Sequence, residues 1–251
     1  MSQRWNSILV VPCYNEAARL PGAELETFVR EHTGTRLLFV DDGSTDGTRG
    51  VLEELARRNG PLVDVLALDR NRGKAEAVRA GMLRALADGP RFAGYWDADL
   101  STPLAELPRF EMILERREVT LLVMGARIRL LGREIQRQAL RHYVGRVFAT
   151  AASLALGLAV YDTQCGAKLF RAGDAVERLF RDPFLSRWVF DVELIARLLR
   201  EHRTLAPRER EALIYELPLR EWHDVAGSKV SPLDFPTALV DLARIHRRYL
   251  R

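Results

Sequence analysis

Several features that mark other classes of protein are missing from this sequence of 251 residues. It has only two cysteines, Cys13 and Cys165, so a disulfide framework is excluded and a reducing compartment is expected. The first residues lack the order of basic, apolar and small residues that marks a secretory signal. The longest apolar run, residues 148–161, is interrupted by polar residues and is shorter than the ~20 residues that cross a bilayer. We therefore expect a cytoplasmic protein, and leave open a peripheral position at the inner face of the plasma membrane.

The motifs of two kinds of nucleotide site are missing as well. Residue 68 is leucine where a phosphate-binding loop ending at Gly73 and Lys74 needs glycine, and no G-x-G-x-x-G run occurs. The excess of positive charge is small, with 38 Lys and Arg against 34 Asp and Glu, so we expect no nucleic-acid partner. A hydrophobic fraction of 47% beside 29% charged residues is the composition of a folded globular chain.

Strand and helix patterns alternate along the first half of the chain. Amphipathic patterns at residues 48–59 and 74–86 lie between short apolar runs, which predicts βαβ units and a mainly parallel sheet flanked by helices. The apolar runs are residues 8–11, 37–40, 63–68, 92–96 and 121–124. The second half predicts a helical segment at 133–158, a strand at 168–170, a helix at 189–201, a strand at 214–219 and a helix at 236–249. No linker is rich in Pro, Gly or Ser, so we expect an α/β fold in a single domain of residues 1–251.

Polar residues follow every predicted strand of the first half. Ligands of open parallel sheets bind beyond the carboxyl ends of the strands, so these residues predict one polar crevice along one sheet edge. They are residues 12–16, 41–44, 69–74 and 97–99, together with Arg127.

Asp97 and Asp99 directly follow an apolar strand and are the strongest candidates for metal ligands. In extended chain, residues two apart point the same way, so both carboxylates can meet one cation. Mg²⁺ and Mn²⁺ prefer one or two carboxylates plus the phosphate oxygens of a substrate. A turn followed by a helix start at residues 101–103 is the structural alternative.

Two further segments combine turn-forming residues with charge. In residues 41–46, either Ser44 or Asp46 caps the helix that begins near Thr48, or a leading carboxylate accepts hydrogen bonds from a uracil or guanine ring. Lys74 stands at the start of a helix, where its ammonium and the helix N-terminus attract a diphosphate.

Four of these segments, taken in order, resemble the family-2 inverting glycosyltransferases of the GT-A fold. They are residues 10–16, 40–48, 71–74 and 97–101. Residues 162–170, 190–194 and 227–229 resemble the dolichyl- or polyprenyl-phosphate glucosyltransferase branch, which uses UDP-glucose and whose mannosyl relatives use GDP-mannose. The resemblance implies a Rossmann-like nucleotide-sugar-binding half at 1–127 and an acceptor-binding half with interfacial helices at 128–251.

The resemblance also implies roles for individual residues. Asp97 and Asp99 would hold Mg²⁺ or Mn²⁺, and Gln164, Lys168 and Lys229 would meet the phosphate of the acceptor. The donor-binding residues would be Pro12, Tyr14, Glu16, Asp42, Lys74 and Asp97. The Gln-x-x-Arg-Trp signature of processive synthases is missing, which argues against polymerisation, and the C-terminal membrane helices of some relatives are missing too.

The nature of the acceptor decides whether a general base is needed. A hydroxyl acceptor must lose a proton, for which Asp191 is the candidate base, although Asp191 also suits the N-cap of a helix. A phosphate monoester is mostly dianionic at neutral pH and needs cations instead. The second half supplies arginines, of which Arg127 and Arg141 are the candidate phosphate ligands. The arginines at 133, 137 and 141 are four residues apart and share one helix face. With its apolar neighbours, this basic face either contacts an anionic membrane or is exposed to solvent.

The sequence therefore predicts a metal-dependent inverting transfer of glucose from UDP-glucose to a polyprenyl phosphate. Transfer from GDP-mannose, and transfer to a soluble or saccharide hydroxyl, are the alternatives within the same fold. A nucleotidyltransferase would need a Gly-rich basic loop after the first strand, which residues 12–16 do not provide. A sugar-nucleotide-binding protein without turnover is the non-enzymatic alternative.

Overall fold

A computed structural model describes residues 5–128, 131–132, 134–135, 139–223 and 234–251. The chain forms two compact units. Unit 1 contains Met1–Leu100 and Gly166–Pro183, and unit 2 contains Ser101–Cys165 and Phe184–Arg251. The predicted functional division at residue 127 remains a prediction.

The described residues form nine strands and nine α-helices. The strands are β1 (Ser7–Cys13), β2 (Thr35–Asp41), β3 (Val63–Ala67), β4 (Phe92–Trp96), β5 (Leu122–Ala126), β6 (Glu134–Ile135), β7 (Ala167–Arg171), β8 (Ile214–Pro218) and β9 (Glu221–Trp222). The helices are α1 (Gly22–Glu31), α2 (Thr48–Asn59), α3 (Lys74–Ala87), α4 (Leu107–Arg116), α5 (Ala139–Leu156), α6 (Asp174–Arg181), α7 (Phe190–Glu201), α8 (Pro207–Ala212) and α9 (Asp234–Tyr249).

Unit 1 is built around a sheet with the strand order β3-β2-β1-β4-β7. The first four strands are parallel, and β7 runs antiparallel to β4. Strands β1, β2 and β4 are apolar along almost their whole length because both faces of the sheet are covered. Helix α3 lies so close to β1 that a Cβ added at Gly81 would overlap the side chain of Val10. This arrangement brings the carboxyl ends of β1 to β4 to one edge.

Unit 2 combines two parallel strand pairs with most of the remaining helices. Strand β5 pairs with β8, and β6 pairs with β9. Helix α7 is buried from Phe190 to Leu199, and α9 packs against both α5 and α7. Within the part of the chain that the structure describes, no helix is long and apolar enough to cross a membrane.

The predicted elements of the first half are confirmed with small changes of boundary. Helix α2 has the predicted bounds, and β4 matches its predicted residues. The predicted helical segment at 133–158 is wrong at its start, because Glu134 and Ile135 form β6 and the helix begins at Ala139. A two-residue strand is too short for an alternating pattern to reveal it.

Candidate active site

The loop after β1 is joined to the loop after β2 by hydrogen bonds. The N–H of Asn15 donates to Ser44 Oγ at 3.0 Å, and the N–H of Thr45 donates to Asn15 Oδ1 at 2.9 Å. The N–H of Glu16 donates to Thr48 Oγ1 at 2.7 Å. These bonds fix the residues at the carboxyl end of β1. The predicted donor-binding residues Pro12, which lies in β1, and Tyr14 and Glu16, which lie in this loop, are half-buried.

Asp46 has the structural role that was one of the two possibilities for residues 41–46: its side chain accepts a hydrogen bond at the start of α2. Its Oδ1 accepts the N–H of Thr48, the first residue of the helix, at 2.9 Å. The hydrogen bond from the Thr48 hydroxyl, together with backbone N–H groups, lowers the pKa of Asp46 below its usual range. Ser44 instead holds the loop after β1.

Asp42 clamps the loop that leads from β3 to α3. Its two carboxylate oxygens accept the N–H groups of Arg72 at 2.7 Å and Gly73 at 2.8 Å, and the residue is only 3% exposed. The two loops approach so closely that a Cβ added at Gly43 would overlap the backbone of Arg70. The role of Asp42 toward a nucleoside remains a prediction.

Lys74 and Asp97 meet at this edge of the sheet. Lys74 is the first residue of α3, and its Nζ lies 2.5 Å from Asp97 Oδ1. The side chains are 42% and 33% exposed, so a ligand from solvent can reach both. The N–H of Asp97 donates to the carbonyl of Gly166 at 3.1 Å, and a Cβ at Gly166 would overlap the Asp97 carboxylate. A cation and an anion are thus fixed side by side, next to a backbone that has no room for a side chain.

Asp99 lies in a turn and not in extended chain. Strand β4 ends at Trp96, and the N–H of Leu100 donates to the carbonyl of Asp97 at 3.1 Å. Leu100 has a φ of 49°, a conformation that a leucine adopts rarely. The premise that Asp97 and Asp99 point the same way because they belong to an extended strand is therefore wrong. Whether their carboxylates meet one ion remains a prediction.

The donor set fits a divalent cation that arrives with a diphosphate. Among the described residues no group of three or more His, Cys, Asp or Glu side chains could hold a metal ion. Two carboxylates with substrate phosphate oxygens are nevertheless what Mg²⁺ uses in phosphate-transfer sites. Asp97 is already paired with the Lys74 ammonium, so a cation bound by Asp97 would share this carboxylate with Lys74.

Two cations that the sequence predicts for the acceptor side are enclosed by neighbouring side chains. Lys168 on β7 is fully buried, with its Nζ 5.3 Å from the centre of the Tyr95 ring. Arg127 at the end of β5 forms a forked ion pair with Asp162, with both N···O distances 2.7 Å. Its guanidinium carbon also lies 5.4 Å from the centre of the Trp222 ring. Their contact with an acceptor phosphate remains a prediction.

Glu216 on β8 organises the segment that carries Gln164, and sequence reasoning missed it. Its carboxylate accepts the N–H groups of Tyr161 and Asp162 at 2.8–3.0 Å. Asp162 in turn accepts the N–H of Gln164 at 3.2 Å. Among the described residues, neither Thr163 Oγ1 nor Gln164 Nε2 has a hydrogen-bond partner, although both atoms are buried. No local pattern marks Glu216, because its partners lie more than 50 positions earlier in the chain.

The remaining candidate residues lie in unit 2 or outside the described residues. Asp191 is 6% exposed and is the second residue of α7, whose N-cap is Val189, so the alternative that Asp191 caps this helix is wrong. Arg141 belongs to α5. Lys229 lies outside the described residues, as do the arginines at 129, 133 and 137.

Comparison with known families decides what class of protein carries this site. Residues 8–178 match the family model described as "Glycosyl transferase family 2". The chain belongs to this family. The resemblance of its four short segments is confirmed, and the matched range of this glycosyltransferase includes Asp42, Lys74, Asp97 and Asp99.

Dolichyl-phosphate beta-glucosyltransferases from several organisms are similar to this glycosyltransferase over most of its length. That of Saccharomyces cerevisiae is 30% identical, over 96% of this chain and 74% of its own. That of Drosophila melanogaster is 33% identical, over 89% and 69%. That of Homo sapiens is 30% identical, over 96% and 75%. The predicted branch of the family is therefore confirmed.

Solved structures of glucosyl-3-phosphoglycerate synthase from Mycobacterium tuberculosis share the fold. The complex with phosphoglyceric acid has a TM-score of 0.66 at 20% identity, over 97% of this chain and 80% of that one. A complex with Mn²⁺ and UDP-glucose has a TM-score of 0.61 at 21% identity, over 98% and 77%. The predicted GT-A fold, an α/β fold with a mainly parallel sheet, is confirmed.

Proposed function

We propose that this glycosyltransferase transfers glucose from UDP-glucose to a polyprenyl phosphate and inverts the configuration at C1. The similarity to dolichyl-phosphate beta-glucosyltransferases, at 30% identity over 96% of the chain, carries this assignment. The position of Lys74, in contact with Asp97 at the carboxyl edge of a parallel sheet, supports the assignment. Ligands of such sheets bind at this edge, where the negative charge of the diphosphate of a sugar nucleotide needs a cation. A polyprenyl phosphate resides in a membrane, so the proposal includes peripheral attachment on the cytoplasmic side.

The reaction is a single displacement at C1 of the glucose. An oxygen of the acceptor phosphate attacks C1 from the face opposite the UDP, and the bond from C1 to the β-phosphate oxygen breaks as the new bond forms. UDP leaves with the electron pair, so an α-linked donor gives a β-linked product. No proton has to move, because a phosphate monoester with a second pKa near ~6 is mostly dianionic at neutral pH. Asp191 is therefore not required as a base for this acceptor.

The chain's own groups compensate the charge that develops on the leaving diphosphate. The Lys74 ammonium and the first N–H groups of α3 provide positive charge at one place. Asp97 keeps the ammonium in position through their 2.5 Å contact. Fixed charges of this kind need no rearrangement during the reaction, which is why they lower its barrier.

Asp97 and Asp99 are the residues that would hold a Mg²⁺ or Mn²⁺ ion together with diphosphate oxygens. When bound, such an ion adds positive charge that stabilises the leaving UDP. The synthase from Mycobacterium tuberculosis, which shares the fold, has been solved with Mn²⁺ and with Mg²⁺ in the presence of UDP.

A transfer assay with two donors and two acceptors tests the assignment. Purified protein receives UDP-glucose or GDP-mannose with Mn²⁺, and either a polyprenyl phosphate in detergent or a saccharide with free hydroxyls. We expect a glucosyl phospholipid from UDP-glucose alone, with a β linkage in the NMR coupling of the anomeric proton. A product from GDP-mannose alone would reassign the donor, and a glycosylated saccharide would reassign the acceptor. Pyrophosphate released from UTP and a sugar phosphate would identify a nucleotidyltransferase.

The Asp99→Ala variant tests the metal assignment. We expect it to lose nearly all transfer and to bind Mn²⁺ with UDP at least tenfold more weakly in calorimetry, a loss of about 1.4 kcal/mol or more. Asp174→Ala removes an exposed carboxylate at the start of α6 and is the matched control. Turnover at the rate of the unchanged protein, in a folded Asp99→Ala variant with Mn²⁺ present, would overturn the assignment.

A further inference from the structure

The side chain of Glu216 holds a loop of unit 2 in place. Glu216 is the third residue of β8, and the loop, residues 157–165, follows α5. Both carboxylate oxygens of Glu216 accept the N–H of Tyr161, at 3.0 and 2.9 Å, and Oε1 also accepts the N–H of Asp162 at 2.8 Å. Hydrogen bonds to a carboxylate are stronger than those between neutral groups. The position of the Asp162 backbone therefore depends on Glu216.

Asp162 connects this loop to Arg127, the residue that directly follows β5. Its Oδ2 accepts the backbone N–H of Arg127 at 3.0 Å and the Nε–H at 2.7 Å, and its Oδ1 accepts the Nη2–H at 2.7 Å. A forked ion pair has to satisfy two distances at once. Asp162 is 6% exposed, so water cannot easily replace these contacts if its backbone shifts. Loosening the Glu216 contacts would therefore disturb the fork.

The guanidinium of Arg127 is fixed in direction as well as in position. The fork with Asp162 uses Nε and Nη2, and the guanidinium carbon lies 5.4 Å from the centre of the Trp222 ring. Nη1 is not part of the fork, and the side chain is 18% exposed. A guanidinium recognises phosphate through the direction of its N–H groups. When that direction is set in advance, less freedom is lost on binding.

Two buried polar atoms of the same loop lack a hydrogen-bond partner among the described residues. They are Thr163 Oγ1 and Gln164 Nε2, and Thr163 is 1% exposed. A buried polar atom without a partner costs free energy, so two of them in neighbouring residues need an explanation. A ligand with several oxygen atoms supplies one. Such a ligand would meet the loop that Glu216 holds.

We propose that Glu216 is a positioning residue for the phosphate of the acceptor. It holds the backbone at Asp162, and Asp162 holds the guanidinium of Arg127 in the direction that binds this phosphate. Asp162 accepts at least four hydrogen bonds, so it acts here as an anchor and not as a base. The purpose of the arrangement rests on the proposed function, in which Arg127 meets the acceptor.

The Glu216→Gln variant tests the proposal in the transfer assay. It removes the charge and turns one of the two acceptor atoms into a donor. We expect kcat/KM for the polyprenyl phosphate to fall at least tenfold, whereas KM for UDP-glucose should change less than twofold. Glu211→Gln makes the same change at an exposed position of α8 and should alter neither value. Unchanged kcat/KM in a folded Glu216→Gln protein, or an equal effect on both substrates, would overturn the proposal.

Thermal unfolding shows whether the Glu216→Gln variant remains folded. If it does not, Glu216→Asp takes its place in every measurement. This variant keeps the charge but shortens the side chain by one methylene group, so its carboxylate cannot make the same contacts with the N–H groups. We expect the same difference between the two substrates.

A second substitution shows whether the effect passes through Arg127. Arg127→Met removes the guanidinium that Glu216 is proposed to position. In this background Glu216→Gln should lower kcat/KM for the acceptor no more than twofold, because residues that act through one another are not additive. Tenfold losses in both backgrounds would mean that Glu216 acts independently of Arg127, contrary to the proposal.

Nuclear magnetic resonance tests the proposal without any transfer. The Nε–H signal of Arg127, identified by its loss in Arg127→Met, should shift when inorganic phosphate is added to the unchanged chain. The phosphate concentration at half of the shift should be at least tenfold higher in Glu216→Gln and unchanged in Glu211→Gln. A signal that ignores phosphate, or that responds equally in all three proteins, would contradict the proposal. If the unchanged chain transfers to no phosphate acceptor, the proposed function fails, and this titration still decides the role of Glu216.

Discussion

Gly166 shows how one missing side chain can shape a charged site. A Cβ at this position would overlap the carbon and both oxygens of the Asp97 carboxylate. The backbone of Gly166 does not have the positive φ that only glycine adopts readily, so alanine is compatible with its conformation. Gly166→Ala should therefore act through the added methyl group. We expect it to displace Asp97 from Lys74 and to lower kcat/KM for glucosyl transfer at least tenfold.

A second glycine provides the control for Gly166→Ala. Gly50 lies in α2, and a Cβ there has no atom within 4 Å. Gly50→Ala should leave transfer unchanged and raise the stability slightly, because alanine favours helix. Thermal unfolding shows whether Gly166→Ala remains folded. A folded Gly166→Ala protein with the kcat/KM of the unchanged chain would show that the position of Asp97 does not limit the reaction.

Helix α7 contains a buried ion pair, and a hydrogen bond joins this pair to helix α9. Glu193 is fully buried and lies 2.7 Å from Arg197, which is 7% exposed. The Tyr249 hydroxyl donates to Glu193 Oε1 at 2.9 Å, and the N–H of Leu185 donates to Oε2 at 2.8 Å. Arg197→Met leaves a buried carboxylate without its cation, so we expect a loss of about 3–5 kcal/mol of unfolding free energy. Urea unfolding measures it.

An exposed arginine on the same helix is the control for Arg197→Met. Arg200 is exposed, with its guanidinium carbon 5.6 Å from the centre of the Tyr249 ring. Arg200→Met should cost no more than about 1 kcal/mol, the usual size of an exposed cation–π contact. If Arg197→Met and Arg200→Met lost the same unfolding free energy, the ion pair between Glu193 and Arg197 would contribute no more to stability than an exposed cation–π contact.

The hydrogen bond between Tyr249 and Glu193 makes the free energy of unfolding depend on pH in the alkaline range. Burial, and then the nearby Glu193 carboxylate, raise the pKa of Tyr249 above its usual value of 10.0. Since the folded state has the higher pKa, the contribution of the neutral hydroxyl is complete below pH 10.0 and is lost as the pH rises through the folded pKa. Tyr249→Phe should therefore lose less stability between pH 9 and pH 11 than the unchanged chain. Urea unfolding across this range that gives the same slope for both proteins would contradict it.

The helices and strands that could be predicted are those with a clear hydrophobic pattern within their own residues. Strand β4 and helix α2 follow from a continuous apolar run and from amphipathic spacing, and both have the predicted residues. Because the strands are parallel, the sequence also predicts that Lys74 and Asp97 lie at one edge. The contacts of Gly166 and Glu216 could not be predicted, since their partners lie far away in the chain. The turn at Leu100 could not be predicted, because leucine rarely adopts the positive φ that this turn requires.

The path of the chain through the two units affects which parts can fold alone. The chain passes between the units after Leu100, Cys165 and Pro183. The nucleotide-sugar-binding half predicted at residues 1–127 therefore lacks β7 and α6, which belong to unit 1. Strand β7 pairs with β4 along its whole length, and its Phe170 is fully buried, with its ring centre 6.4 Å from that of Tyr95.

A fragment of residues 1–127 is therefore expected not to fold by itself. Without β7, strand β4 has an unpaired edge, and such edges favour aggregation over a native state. We expect no cooperative unfolding transition by circular dichroism and no binding of UDP. Mixing with a fragment of residues 128–251, which carries β7 and α6, should restore part of both. A cooperative transition in the fragment alone, with UDP affinity equal to that of the full chain, would show that the nucleotide half is independent of β7. That result would place the folding boundary at the predicted functional boundary, contrary to the path of the chain through unit 1.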